Sequence, residues 1–329
     1  MKICVIYSHH KLGDLIWQLP YIKSISSHHN SRVTLITRPT TQANDILKDE
    51  NYIDNFFYCN FRKGVWYFLE IFILFNFFKK NNFSHIYILD KISRPAIAAK
   101  LAGIKNIIGP GIKNQKKWLT CCNFLSLNQY RTLNYSEQSE MILNLNGIDV
   151  LDKIPRINIY EDSLKSIEPK IILNSKNFIS FGVDSFEPYK MWFEEQFAEL
   201  ANKLNDAGIT DQIFLISSKA NSQIVKKIIN LSKRDIFYDC STLNLLGVIK
   251  VIKKSKFFVG NNSGPLNLAS ALNIRAFGLI ANDKVSELRN SNISPILPDD
   301  YEDKFYRDRE GMRRLNVDKV YNYIISNLN

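Results

Sequence analysis

The stretch FFVGNNSGPLNLASAL, residues 257–272, decides the fold class more than any other part of this chain. A short apolar run ends in a turn of Gly, Asn and Ser, and good helix formers follow Pro265. Proline in the first helical turn removes no donor that the helix needs. The stretch therefore predicts a strand, a tight turn and a helix N-terminus. Free backbone N–H groups and the helix dipole make such a turn a candidate anion site, although ordinary βα turns look the same.

A similar arrangement opens the chain. Lys2–Tyr7 is an apolar strand, residues 8–12 form a polar loop, and a helix is predicted over Asp14–Ser27. Asp14 is therefore expected near a helix N-terminus at the carboxyl end of a strand, where open α/β sheets keep their sites. Aspartate is also favoured as a plain N-cap, so this position alone does not establish a site.

Strand-like and helical segments alternate along the rest of the chain, which predicts an α/β fold with parallel sheets and right-handed crossovers. A length of 329 residues is more than one hydrophobic core usually holds. We expect domains at residues 1–155 and 176–329, joined by a linker over 156–175 that lacks periodicity. Further strands are predicted at 32–37, 86–90, 177–182, 212–217, 236–239 and 257–260, and further helices at 42–48, 93–102, 134–146, 193–206, 222–232 and 244–253.

Residues 65–78, VWYFLEIFILFNFF, are apolar nearly throughout and lie between two pairs of basic residues. As a helix they span about 21 Å, which is short of the ~30 Å hydrocarbon core of a membrane. A transmembrane helix is therefore not expected. Two interpretations stay open: a helix buried in the N-terminal core, or a helix that faces a membrane with its basic flanks on anionic lipid.

The net charge is +11, and residues 62–117 hold eleven basic residues against Glu70 and Asp90 alone. Such a region attracts an anionic membrane, a phosphorylated acceptor or a nucleic acid, or is simply a solvated face. No stretch resembles a nucleic-acid-binding module, so no nucleic acid is expected. Five scattered cysteines without metal-ligand spacing, and no signal peptide, indicate a reducing cytosol.

Three motifs, taken in order and spacing, resemble a known family. LGDLIWQLP at residues 12–20 is similar to L-G-D-x-I-x-x-x-P, the opening motif of the bacterial heptosyltransferases, glycosyltransferase family 9. KMW at residues 190–192 resembles the family's K-x-W segment, and residues 260–271 resemble its donor motif, G-x-D-[ST]-G-P-x-H-x-A-x-A. The resemblance runs over nearly the whole chain. It implies GT-B architecture, in which two doubly wound, Rossmann-like domains face a central cleft.

The resemblance implies an inverting, metal-independent glycosyltransferase. Its donor would be a nucleotide-diphosphate sugar, ADP-heptose by the family's default, and its acceptor a phosphorylated glycolipid, the lipopolysaccharide or lipooligosaccharide core. The N-terminal domain would bind the acceptor and the C-terminal domain the donor. We expect no cofactor, no metal and a monomer, in the cytoplasm and peripherally on the inner face of the cytoplasmic membrane. The expected site residues are Asp14 as catalytic base, Ser185, Lys190, Asn262, Ser263, Gly264 and Asn267 for the donor, and Gly13, Lys116 and Lys117 for the acceptor.

Two positions depart from the donor motif: Asn262 stands where the family has aspartate, and Asn267 where it has histidine. Residues 217–221 also lack the acidic residue that some members place there to hold the ribose. The donor sugar and its base therefore stay open. Two other function classes also stay open. One is a non-catalytic sugar-nucleotide or glycolipid binding protein, which would not need Asp14. The other is a further GT-B enzyme, such as an epimerase, acting on a soluble sugar nucleotide.

Overall fold

A computed structural model describes residues 1–165 and 177–328 of the chain. It divides into two compact units, Met1–Asn158 and Ile159–Asn329. Each unit holds one parallel sheet with helices in the connections, which confirms the predicted α/β class. Residues 166–175 of the predicted linker lie outside the described residues, so the domain boundaries stay a prediction.

The first unit is built on a five-stranded sheet. Its strands are β1 Ile3–Ile6, β2 Val33–Thr37, β3 Ile53–Tyr58, β4 His85–Ile88 and β5 Asn106–Ile108. Its helices are α1 Leu12–Ile16, α2 Leu19–His28, α3 Ala43–Leu47, α4 Trp66–Asn81, α5 Arg94–Leu101, α6 Leu127–Thr132 and α7 Tyr135–Leu145, with 3-10 turns at Pro39–Thr41 and Lys113–Trp118. The strand order is β3-β2-β1-β4-β5, and all neighbours are parallel. Every residue of β1 and β2 is buried, as expected for central strands that are covered on both faces.

The second unit is built on a six-stranded sheet. Its strands are β6 Phe178–Gly182, β7 Gln212–Ile216, β8 Phe237–Asp239, β9 Phe258–Asn261, β10 Ala276–Leu279 and β11 Ile293–Ile296. Its helices are α8 Asp162–Lys165, α9 Glu194–Asp206, α10 Ser222–Ser232, α11 Leu245–Lys254, α12 Gly264–Ala271, α13 Glu310–Arg313 and α14 Val317–Ser326, with 3-10 turns at Pro188–Lys190, Lys219–Asn221 and Val285–Leu288. The order β11-β10-β9-β6-β7-β8 is again wholly parallel.

Both sheets reverse their strand order once, between β1 and β4 in the first unit and between β6 and β9 in the second. In doubly wound sheets, ligands bind outside the carboxyl ends of the strands at this point of reversal. The connections that leave β1, β4, β6 and β9 are therefore where the fold itself indicates a site.

The predicted helix over Asp14–Ser27 is wrong in one respect, because it is broken into α1 and α2 at Trp17–Gln18. Pro20 is the physical reason. Inside a continuous helix its ring would clash with the carbonyl of Ile16, and it has no N–H to donate. In the first turn of α2 neither cost arises.

Four strands are not predicted from the sequence: β3, β5, β10 and β11. β3 lies at a sheet edge and carries the exposed Asp54 and Asn55, so it shows no continuous apolar run. β10 and β11 are four residues each and are joined by a 3-10 turn rather than a helix. The alternation of strand and helix on which the prediction depended is therefore missing there.

Helix α4 covers the apolar residues 65–78, and it packs on the core along one narrow stripe. Only Glu70, Leu74 and Phe78 are buried, at the i, i+4 and i+8 positions of one face. The interpretation as a buried core helix therefore holds for that stripe and is wrong for the opposite face. Within residues 1–165 and 177–328, no helix is long and apolar enough to cross a membrane.

Candidate active site

The carboxyl ends of β6 and β9 meet at a pair of glycines. Gly182 and Gly260 are partners in the strand register. A Cβ on Gly260 would stand 2.8 Å from the carbonyl oxygen of Gly182, and one on Gly182 would stand 2.5 Å from the Phe258 ring. A side chain at either position would therefore collide with its surroundings. The connections that leave these two strands carry the donor-binding residues predicted from the sequence.

The strand, the tight turn and the helix N-terminus predicted from residues 257–272 are confirmed as β9, the turn after it and the start of α12. Ser263 is the N-cap and has an extended backbone, and Pro265 lies in the first turn. The Ser263 Oγ does not cap the helix; it is buried without a hydrogen-bond partner in the described parts of the chain, as is Asn267 Oδ1. A Cβ on Gly264 would meet no atom within 4 Å. Unused polar atoms and open space beside a helix N-terminus suit a phosphate group.

Lys190 ends the 3-10 turn that follows β6, and its side chain is only 15% exposed. The ammonium lies 3.0 Å from Asp283 Oδ1 and 3.3 Å from Glu187 Oε2. Burial lowers the pKa of Lys190, but the Asp283 and Glu187 carboxylates raise it. Their combined effect is the larger, so the pKa lies above its ordinary value. Lys190 is therefore a largely buried ammonium ion, held at the carboxyl edge of the second sheet.

Asn262 contacts the other oxygen of the Asp283 carboxylate. Its Nδ2 donates to Asp283 Oδ2 at 2.9 Å, and Asp283 is only 4% exposed. From the sequence alone, the change from aspartate to Asn262 counts as the loss of a negative charge. The structure supplies a negative charge from Asp283, on the connection after β10, and Asn262 acts as its hydrogen-bond donor.

Trp192, the last residue of the K-x-W segment, fixes the loop that carries Lys190. Its indole is buried and donates to the carbonyl of Leu315 at 2.9 Å, and its backbone N–H donates to Asn261 Oδ1 at 2.9 Å. Arg309, just before α13, donates to the backbone carbonyls of Met191 and Trp192. The tryptophan therefore positions Lys190 without being a candidate contact for the donor.

Ser185 is buried in the same loop, where its Oγ accepts from the backbone N–H of Glu187 at 3.3 Å. Its neighbour Asp184 faces the loop at residues 217–221, which lacks an acidic residue of its own. Asp184 accepts from the Ser218 N–H at 2.9 Å and from Asn221 Nδ2 at 2.6 Å. A carboxylate is therefore present beside that loop, but it is contributed by the connection after β6.

In the first unit, Asp14 lies in the first turn of α1, and its side chain is 31% exposed. The N-cap of α1 is Lys11, so the interpretation of Asp14 as a plain N-cap is wrong. Asp14 Oδ2 lies 3.6 Å from His9 Nδ1. The His9 ring in turn stacks on Tyr7 at 4.8 Å and meets the edge of Tyr135 at 4.3 Å.

A second carboxylate follows β4. Asp90 is buried and accepts from the Ser8 N–H at 2.6 Å and from the Ile92 N–H at 3.0 Å. Burial, and then the charges of Asp14 and Asp90, raise the pKa of Tyr7 well above its ordinary value. The point of strand reversal in the first sheet is thus acidic and lined by aromatic rings.

The predicted acceptor residues lie on connections at the carboxyl end of the same sheet. Gly13 is buried in α1, whereas Lys116 and Lys117 are exposed in the 3-10 turn after β5. The buried Gln115 ties this turn to the end of β4, because its Nε2 donates to the carbonyls of Asp90 and Ile92 at 2.8 and 2.9 Å. The two lysines are therefore held near the strand ends with exposed side chains, and the Lys116 ammonium lies 4.9 Å from the centre of the Phe124 ring.

Sequence reasoning missed four residues of these two strand edges: His9, Asp90, Asp184 and Asp283. Each directly follows a strand or lies within a few residues of its carboxyl end. Parallel strands bring such residues to one edge of a sheet, so this position was the signal that could have found them. In the described ranges, no group of three or more His, Cys, Asp or Glu residues is placed to hold a metal ion.

One family model matches the half of the chain that carries the predicted donor site. The model of Glycosyltransferase family 9 (heptosyltransferase) matches residues 137–294, which include Lys190 and the whole α12 turn. No curated protein is similar enough to this chain in sequence to count as a relative.

Solved structures resemble the chain over its whole length. Escherichia coli ADP-heptose lipopolysaccharide heptosyltransferase II is 16% identical with a TM-score of 0.79, covering 100% of this chain and 98% of its own. A family 9 glycosyltransferase from Veillonella parvula is 15% identical with a TM-score of 0.79, covering 99% and 97%. Escherichia coli heptosyltransferase WaaC with ADP is 14% identical with a TM-score of 0.72, covering 99% and 100%.

The fold and the family match together define the class of the protein, a glycosyltransferase enzyme of the GT-B fold. Within that class the chain is similar to the heptosyltransferases of family 9, and the resemblance predicted from its motifs is confirmed.

Proposed function

We propose that this protein is an inverting glycosyltransferase. It moves a heptose or a related sugar from a nucleoside-diphosphate sugar to a hydroxyl of a lipopolysaccharide or lipooligosaccharide core. One observation carries the proposal: the largely buried Lys190 ammonium contacts Asp283, and Asp283 accepts from Asn262, which directly precedes the N-cap of α12. A cation and a helix N-terminus at one sheet edge suit a leaving diphosphate.

The donor would bind along this edge. Its diphosphate would accept hydrogen bonds from the N–H groups of Ser263 and Gly264 and from the free Ser263 Oγ. It would also contact the Lys190 ammonium, which exchanges part of its contact with Asp283 for a phosphate oxygen. Ser185, Asn262 and Asn267 complete the donor site. ADP-heptose is the first donor to test, since the similar WaaC was solved with ADP and with ADP-2-deoxy-2-fluoro heptose.

Asp14 is the proposed catalytic base. The acceptor hydroxyl attacks the anomeric carbon from the side opposite the diphosphate, which inverts that carbon. The hydroxyl proton passes to the Asp14 carboxylate while the bond to the diphosphate oxygen breaks, and both of its electrons leave with the nucleoside diphosphate. His9, whose Nδ1 lies 3.6 Å from Asp14 Oδ2, orients the carboxylate.

No divalent metal and no cofactor are required in this scheme. The negative charge that develops on the leaving diphosphate is balanced by Lys190 and by the dipole of α12, which together supply the role that a metal ion plays elsewhere.

The acceptor would bind to the first unit. Gly13 precedes Asp14 in α1 and would border the acceptor from within that helix, and Lys116 and Lys117 would meet its phosphate groups. A lipid-linked acceptor and a cytosolic nucleotide sugar meet at the inner face of the cytoplasmic membrane, where we propose the enzyme works as a peripheral, monomeric protein.

A donor screen followed by product detection tests the proposal. Among ADP-, UDP-, GDP- and CMP-sugars, the true donor at 100 times its Kd should stabilise the protein by about 2.7 kcal/mol. Nucleoside diphosphate should then be released only when core acceptor is added. A protein that binds a sugar nucleotide but transfers its sugar to no acceptor would instead fit the binding-protein alternative. Asn262 and Asn267 would then belong to a site that holds the sugar nucleotide without reaction. Stabilisation by none of the sugar nucleotides would contradict both.

A further inference from the structure

Helix α4 presents a continuous apolar face that nothing in the described structure covers. The face consists of six exposed side chains on an arc of roughly 160°, at 100° per residue. Its two phenylalanines, Phe68 and Phe72, are 71% and 63% exposed. The members of the apolar face are Val65, Trp66, Phe68, Leu69, Phe72 and Ile73. Monomeric soluble proteins rarely leave so many large apolar groups together in water, so the face indicates a partner.

The exposed charges of the segment that carries α4, residues 62–117, are of one sign. Within residues 62–117, both carboxylates are buried, Glu70 in an ion pair with Arg94 and Asp90 on backbone N–H groups. The exposed ionisable groups of this region that carry charge at neutral pH, the histidine aside, are therefore cations. They are Arg62, Lys63, Lys79, Lys80, Lys91, Lys100, Lys105, Lys113, Lys116 and Lys117.

The cations also lie where a membrane-bound helix needs them. Lys79 and Lys80 continue the arc of the apolar face in the last turn of α4. Arg62 lies at the other end, with its guanidinium 4.7 Å from the Trp66 ring. Cationic side chains at the ends of such a helix reach up to phosphate groups while their stems stay on the apolar surface.

We propose that α4 lies in the interface of an anionic membrane, with the apolar face among the acyl chains and its basic surroundings on the headgroups. This proposal rests on the proposed function in one respect: a lipid-linked acceptor would require the enzyme to reach the membrane. A helix of 16 residues is roughly 24 Å long, and its opposite stripe is fixed to the core, so α4 lies parallel to the surface. A second copy is a poorer occupant, because it would bring the same cations against each other.

Vesicle binding with a charge-matched pair of variants tests this. The F68E/F72E variant removes two aromatic rings from the apolar face. The L127E/L151E variant makes the same change of charge at two leucines of the same unit that are exposed elsewhere. The parent should bind vesicles that contain phosphatidylglycerol in preference to pure phosphatidylcholine, and more weakly as salt rises. F68E/F72E should lose binding by on the order of 100-fold, since each ring accounts for roughly tenfold, whereas L127E/L151E should lose far less.

Trp66 provides a second readout on the intact protein. Its fluorescence should shift to the blue and be quenched by brominated acyl chains, and the W66F variant should lose that change. Equal binding of the parent to both vesicles, equal losses in the two double variants, or a stable dimer in which Trp66 is shielded would each overturn the proposal. Nucleoside-diphosphate binding, measured in parallel, checks that the variants are folded. Failure of sugar transfer would leave vesicle binding unchanged, so the two proposals fail separately.

Discussion

Replacing Asn262 by the aspartate of the family motif should destabilise this protein. The Asn262 amide donates at 2.9 Å to Asp283, whose side chain is only 4% exposed. An aspartate at 262 would remove that hydrogen bond and set two carboxylates against each other. Relaxed to about 4 Å at an effective dielectric of about 20, their repulsion is ~4 kcal/mol. Lys190 offsets part of it, so we expect a net loss of about 2–4 kcal/mol in the free energy of unfolding.

The sign of the pH dependence follows from the same pair. Two close carboxylates share a proton, and the folded chain then binds that proton more tightly than the unfolded chain does. Stability of N262D relative to the parent should therefore rise as the pH falls from 8 towards 5. The loss should be largest above pH 7.

Denaturant unfolding of five proteins measures the effect: the parent, N262D, N262A, D283N and N262D/D283N. N262A loses the hydrogen bond without adding charge and should cost about 1–2 kcal/mol at every pH. N262D/D283N restores one carboxylate and one amide, and it should recover most of the stability that N262D loses. Carboxylate repulsion would be refuted as the cause if N262D matched N262A at pH 8, or if the double variant lost the sum of both single effects.

Three further outcomes are expected. The K190A variant should weaken nucleoside-diphosphate binding by about 1.5–3 kcal/mol in calorimetry, because a charge-assisted contact is lost. The control K254A removes an exposed lysine of the same unit and should bind as the parent does. Equal affinities of K190A and the parent would make Lys190 a structural residue only. Transfer activity should persist in excess EDTA, and a requirement for Mg²⁺ or Mn²⁺ would contradict the assignment of the leaving-group charge to Lys190 and α12. The K116E/K117E variant should raise the KM for a phosphorylated acceptor and leave donor binding as in the parent, and an unchanged KM would remove both lysines from the acceptor site.

The sequence predicts well where the signal is local. The turn before α12 was readable because a strand, a Gly/Asn/Ser turn and Pro265 follow one another within a few residues. The break between α1 and α2 also has a local signal, Pro20, although the predicted helix runs through it. Short edge strands such as β3 have no comparable signal, because their exposed residues do not show the apolar run of a buried strand.

Tertiary partners are the part that could not be predicted. Asp283 meets Lys190 and Asn262 only because β10, β9 and β6 are consecutive neighbours in the sheet, an order that no local pattern encodes. Helix α4 shows the same limit. Its composition is apolar all round, and only packing against the core decides that Leu74 is buried while Phe72 is exposed.

The most direct test of the proposed mechanism is the turnover of D14N with the donor identified by the screen. If Asp14 takes the proton from the acceptor, D14N should bind the nucleotide sugar as the parent does and turn over roughly 10²–10⁴-fold more slowly. The matched control is D45N, which changes an aspartate in the first turn of another short helix, α3, and should stay active. Near-normal turnover of D14N, with donor binding intact, would contradict the assignment of Asp14 as the catalytic base.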